Sequence, residues 1–115
     1  MTKDNDSSYK EYVGDGLLYF LLRLWCYKNR VPYKECVRLN RYFNTNQFFS
    51  HVANNLKISN ASTQFKFQKY SADLFEEFMF VKFLKGGLDD TYRYYEKNII
   101  PLIKKQTIIK FIKSK

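Results

Sequence analysis

Val13, Leu17, Phe20, Leu21, Leu24 and Trp25 recur at three- and four-residue spacing, which predicts a first helix from about Ser8 to Tyr27. Asn29-Arg30-Val31-Pro32 ends it, because proline cannot continue a helix. A second helix is expected over about Tyr33 to Phe43, carrying Val37, Arg38 and Arg41. A third is expected over about Thr45 to Leu56, with Phe48, Phe49, Val52 and Leu56 on its apolar side. Residues 57–70 lack a helical period and hold many turn formers, so they read as a loop. A fourth helix is predicted from Ser71 to Leu84 and stopped by Gly86-Gly87. The helical pattern resumes at Leu88, with Asp89 and Asp90 favourable near the new N-terminus and Pro101 placed to kink or split the last helical stretch. The expected class is all-α.

With 115 residues the chain has room for one domain and one core. Hydrophobic residues at 45% and charged residues at 27% exclude a disordered chain. Two cysteines, Cys26 and Cys36, exclude a disulfide-stapled scaffold, lack zinc-ligand spacing and are expected as core thiols. His51 is the single histidine, which excludes a multi-histidine metal site. The N-terminus is polar and unlike a secretory signal, and the longest apolar run, Leu17 to Leu22, is too short to span a bilayer. The expected setting is intracellular and reducing, cytoplasmic or organellar, with no membrane partner.

The net charge of +9 is concentrated at one end. Residues 97–115 hold six lysines and no acids, which leaves +3 for residues 1–96. Lysine outnumbers arginine 15 to 5 in a chain also rich in Asn, Tyr, Phe and Ile, so A/T-rich coding explains the excess as well as a polyanion-binding surface does. The tail from Ile99 through Lys115 is amphipathic. Closing the core is its expected role, with Lys104, Lys105 and Lys110 left available to RNA phosphates; a membrane-surface role is the alternative. Tyr92, Tyr94 and Tyr95 are expected in the core more than as a base-stacking platform.

Only 11 acids are present, and four of them form two pairs at helical spacing. Glu11 and Asp15 project from one face of the first helix, and Asp73 and Glu76 from one face of the fourth. Both pairs border apolar segments, where a carboxylate is costly unless a cation compensates it. Two such helices packed face to face would surround one space with hard oxygen ligands suited to Mg²⁺ or Mn²⁺. Spacing by itself favours the plainer alternative of surface acids in helical salt bridges.

The residues around the acids add a resemblance. Glu11-Tyr12-Val13-Gly14-Asp15-Gly16-Leu17-Leu18 resembles the ribonuclease III signature. Ser71-Ala72-Asp73-Leu74-Phe75-Glu76-Glu77-Phe78 resembles that family's second acidic motif, and Phe83-Leu84-Lys85-Gly86-Gly87-Leu88-Asp89 the Gly-Gly-Leu-acid step after it. Arg38-Leu39 and Asn44-Thr45-Asn46-Gln47-Phe48-Phe49 are similar to the segment between the two motifs. Order and separation agree from about Glu11 to Ile103. The family's further acid, one turn before the first glutamate, is Ser8 here, and the helices usual ahead of the signature are missing.

The resemblance implies an N-terminally shortened ribonuclease III-like helical domain over residues 11–103. A polar tail (1–10) precedes it and a basic tail (104–115) comes after it, with no double-stranded-RNA-binding domain. It implies an endoribonuclease that hydrolyses double-stranded RNA with Mg²⁺ or Mn²⁺ held by Glu11, Asp15, Asp73 and Glu76. It also implies a homodimer in which each subunit cuts one strand and Tyr12 inserts into its partner. The expectation from another functional class is a non-catalytic, ribonuclease III-derived RNA-binding structural protein, such as an organellar ribosome component. Retention of the four acids favours the enzyme; Ser8 and the shortened N-terminus favour the scaffold.

Overall fold

The computed structural model describes residues 3–58 and 68–113, and these are helical apart from short turns. The element order is α1 (Lys3–Lys28), α2 (Tyr33–Phe43), α3 (Asn46–Asn55), α4 (Gln68–Asn98) and α5 (Ile100–Lys113). The all-α class is as expected. No described helix is long and apolar enough to cross a membrane.

α1 starts at Lys3, well before the expected Ser8. The added turns have no apolar stripe to announce them. They are held by charge: the Lys10 ammonium lies 3.1 Å from Asp6 on the same helix and 3.7 Å from Glu77 on α4. The expected polar tail is thus largely the opening of α1. The turn after α1 places Arg30 at a φ of 55° and returns the Val31 amide to the Cys26 carbonyl at 2.9 Å. α2 begins directly after Pro32, within the predicted bounds. Thr45 caps α3, its hydroxyl accepting from the Phe48 amide at 3.1 Å.

α4 departs most from expectation. It begins at Gln68, inside the segment read as a loop, whose residues 59–67, Lys66 among them, lie outside the described residues. Of the two glycines expected to stop it, only Gly87 leaves helical geometry, at φ 79° and ψ −179°, a region that disfavours any side chain. The result is a kink between two helical arms. The Thr91 hydroxyl donates to the Gly87 carbonyl at 2.8 Å, and Lys82 reaches Asp90 across the bend at 3.9 Å. α5 opens at Ile100 with Pro101 in its first turn, where a missing amide hydrogen costs nothing. The predicted split at Pro101 is therefore real, and the expected basic tail continues α5 to Lys113.

The first arm of α4 is the central element, packed along α1 on one side and α3 on the other. Leu18, Leu21 and Leu22 of α1, Val52 and Ala53 of α3, and Ala72, Phe75 and Met79 of α4 are completely buried. Burial of such side chains contributes on the order of 1.5–3 kcal/mol each. Tyr92 and Tyr95 on the second arm and Ile99, Ile100 and Ile103 at the α4–α5 corner close the remaining face. The tyrosine cluster thus serves the core, with Tyr94 half-buried against Phe78. Cys26 is buried and Cys36 half-buried, both as free thiols. Burial, and then contact with Cys36, pushes the Cys26 thiol up to about 12, so it stays protonated and unreactive. His51 is exposed on α3.

Candidate active site

The four acids are brought to one place by a glycine. Gly14 faces the α4 backbone so closely that a Cβ built on it would lie 2.1 Å from the Glu76 carbonyl oxygen and 2.6 Å from its carbonyl carbon. No side chain can stand between the helices there. At that contact, α1 presents Glu11, three residues before Gly14, and Asp15, the next residue. α4 presents Glu76 and, one turn earlier, Asp73. Glu11, Asp15, Asp73 and Glu76 consequently line a single open cleft of about 580 Å³, together with Ser8, Tyr12, Gly16, Asn46 and Lys69. Ser8, one turn before Glu11, is on the wall of this cleft.

The acids differ in environment. Glu76 is the most enclosed, only 7% exposed, with no hydrogen bond or ion pair to another described residue. Its burial is the main reason its carboxyl is pushed up to about 8, and repulsion from Asp15, Asp73 and Glu11 adds to it; Lys69 works the other way. Partial burial also raises the Asp15 carboxyl above its ordinary range. Asp73 is paired with Lys69, whose ammonium is 3.1 Å and 3.3 Å from its two oxygens. The ammonium is held up by that bond and, more weakly, by Glu11 and Glu76. With its carboxyl near 8, Glu76 keeps its proton at neutral pH.

The charged donor set suits a hard divalent cation: four carboxyl groups, one of them buried and without a partner among the described residues. Its arrangement is open. Among the described residues, no group of three or more Asp, Glu, His or Cys side chains stands ready in metal-holding geometry. Lys69 sits on Asp73 where a cation would sit. Side-chain rotation within the cleft, with Lys69 turned outward on a 75% exposed side chain, is what cation entry requires.

The other residues singled out from the sequence fall elsewhere. Tyr12 is 79% exposed, so it is not a core tyrosine; it stands between the carboxylate cleft and an apolar groove. Lys104 and Lys105 are exposed on α5 and do not line the cleft; the Lys104 ammonium lies over the Trp25 ring, 5.6 Å from its centre. The side chain of Lys110 lies outside the described residues. Two residues that sequence reasoning passed over as site members, Lys69 and Asn46, line the cleft. The i,i+4 spacing of Lys69 and Asp73 was the available signal for the first. Asn46 is placed by the turn between α2 and α3, which gives no such signal. Comparison of the chain with protein-family models, with curated proteins and with solved structures gave no match.

Proposed function

We propose that this chain is a divalent-metal-dependent endoribonuclease of the ribonuclease III type, acting on double-stranded RNA. The observation that supports it most is Glu76: a buried carboxyl with no hydrogen-bond or ion-pair partner among the described residues, facing a cleft with three further carboxylates. A fold keeps such a group at a cost in stability, and a ligand that neutralises it offsets the cost. In this reading Glu11, Asp15, Asp73 and Glu76 hold Mg²⁺ or Mn²⁺, directly or through water. The chemistry such an ion supplies is Lewis acidity toward a phosphodiester. As a ligand Glu76 would be ionised, its proton passing to water in the open cleft. Lys69 exchanges Asp73 for a substrate phosphate. Recognition is by shape and phosphate, because A-form RNA hides its major-groove edges.

The test is cleavage of long duplex RNA with Mg²⁺, with Mn²⁺ and with EDTA, alongside thermal melting under the same conditions. Metal-dependent cutting and a metal-dependent rise in Tm are expected, both lost in Glu76→Gln. The non-catalytic RNA-binding scaffold is the second reading, favoured by Ser8 in the cleft wall and by the Lys69–Asp73 ion pair. Absence of cutting together with absence of a metal-dependent rise in Tm would select it.

The assembly we propose is a homodimer through the exposed side of α1. Tyr12, Val13, Leu17 and Phe20 of α1 face Phe83 and Leu88, on either side of the α4 kink, across an apolar groove of about 480 Å³. Tyr12, Val13, Phe20 and Leu88 are all substantially exposed. An aromatic anchor entering an apolar pocket is where interface energy concentrates. Light scattering at micromolar concentration should give a dimer that Tyr12→Ala shifts toward monomer. A wild-type monomer rules the dimer out.

A further inference from the structure

A second groove, of about 790 Å³, continues along α1 from the carboxylate cleft and lies between α1 and α2. Asp15, Tyr19 and Arg23 succeed one another at four-residue steps, so they form a ladder on one side of α1. Asp15 lines the cleft, and Tyr19 and Arg23 line the groove. Across from them α2 contributes Asn40 and Arg41, with Tyr33 at its start. Along the α1 axis Arg23 is about 12 Å beyond Asp15, from the rise of 1.5 Å per residue.

The charges in this groove are uncompensated. Arg38, on the same helix as Arg41, is bound at both ends of its guanidinium to Glu35. Arg23 and Arg41 have no carboxylate partner among the described residues, and no acid lines the groove. Arg23 is 5.4 Å from the centre of the Tyr19 ring, a cation–π contact that orients its guanidinium. Beneath them Asn40 is locked, donating to the Cys36 carbonyl at 2.9 Å and accepting from Asn44 at 2.9 Å, so it shapes the floor and has little left to offer a ligand. Tyr33 is 82% exposed and holds a hydroxyl donor at the rim. Two forked cations lining one groove from different helices, neither with a carboxylate partner among the described residues, match the oxygens of a phosphodiester.

We propose that Arg23 and Arg41 form a phosphate clamp for the nucleic-acid strand that passes through the carboxylate cleft, gripping a phosphodiester away from the one to be cut, with Tyr33 donating at its edge. This assigns the dominant backbone contact to α1 and α2, not to the α5 lysines. The proposal rests on the reading of the cleft only for the direction in which the strand runs; anion capture by the two arginines does not depend on catalysis.

The test is therefore made in EDTA, where no strand is cut. Binding of a short labelled RNA duplex is followed by fluorescence anisotropy over a series of salt concentrations, with wild type, Arg23→Ala/Arg41→Ala, and Arg38→Ala. Charge-assisted hydrogen bonds of this kind make roughly a tenfold or greater loss of affinity the expected result for the double variant. Its salt dependence should also be shallower by about two in log–log slope, one for each arginine that no longer neutralises a phosphate. Arg38→Ala should bind as wild type does. Unfolding of the double variant is checked by its melting curve, and wild-type protein supplies a second readout: duplex RNA should protect Arg23 and Arg41 from arginine-specific chemical modification, mapped by mass spectrometry. Unchanged affinity and slope in a folded double variant, or modification of both arginines at the free rate when RNA is bound, overturns the clamp. A clamp that binds RNA while no metal supports cleavage would leave this inference standing and remove the nuclease reading.

Discussion

Gly14→Ala should destabilise the protein by more than about 3 kcal/mol, at the upper end of what overpacking costs. The added methyl would meet the Glu76 carbonyl oxygen at 2.1 Å, and backbone cannot step aside as a side-chain tip can. α1 and α4 would have to separate along the interface that carries much of the core, and the carboxylate cleft would open with them. Gly16 supplies the internal control. It is in the same helix, with nothing within 4 Å of a Cβ built on it, so Gly16→Ala should stabilise by about 0.5–1 kcal/mol through helix propensity. Urea denaturation of the two variants measures both effects. A Gly14→Ala protein as stable as wild type would mean that the two helices do not meet as described.

The second large effect is a dependence of stability on pH that belongs to Glu76. Its folded-state carboxyl is raised from an ordinary 4.5 to about 8. Between those values the folded chain keeps a proton that the unfolded chain has released. Stability should therefore be fullest below about 4.5, fall as pH rises through 8, and level off above it. Asp15, raised by burial, acts in the same direction. The other shifted pairs act outside the window, Glu35 against this trend and Lys69 along with it. Arg38 lowers Glu35, whose contribution is lost only as pH falls below the ordinary carboxylate range. Asp73 raises Lys69, whose contribution is lost only above the ordinary lysine range.

The upper limit of the Glu76 effect is about 5 kcal/mol, from its shift at 1.36 kcal/mol per unit, and water in the open cleft reduces it. Glu76→Gln keeps the shape and removes the titration. In the absence of metal the variant should match wild type near pH 5 and melt ~5–15 °C higher near pH 9. Parallel pH profiles for the two proteins would contradict the placement of Glu76. In wild type, Mg²⁺ should recover at pH 9 part of the stability that ionised Glu76 loses, since binding to the folded state alone stabilises it; Glu76→Gln should show little of that recovery.

The boundaries that were legible in the sequence are those written in local chemistry. Pro32 before α2, Thr45 before α3 and Pro101 in the first turn of α5 each act on the backbone within a few residues of themselves. The boundaries that were missed depend on partners distant in the chain or on charge. The start of α1 rests on Lys10, which bridges Asp6 and Glu77, and hydrophobic periodicity carries no trace of that. At Gly86-Gly87 composition calls for a stop, yet Gly87 alone leaves helical geometry and the chain continues as a kinked helix. A glycine pair permits a break without specifying its angle, and the packing of Tyr92 and Tyr95 against the core specifies it.

For the site the division is similar. The spacing of Glu11 with Asp15, and of Asp73 with Glu76, places each pair on one helix face by sequence alone, because 3.6 residues per turn is a local property. That the two faces meet, that Glu76 is enclosed and that Tyr12 stands exposed are tertiary facts, whereas the hold of Lys69 on Asp73 is again a local i,i+4 pairing. The meeting of the faces and the enclosure of Glu76 depend on the approach of α1 to α4 at Gly14, an interaction across 62 positions of chain that no local pattern encodes. The same holds for Arg23 and Arg41. In sequence they are two arginines on separate helices, one of them a neighbour of Arg38. Only the packing of α1 beside α2 turns them toward one groove and leaves both without an acid among the described residues, since burial and pairing are properties of distances between elements and not of order along the chain.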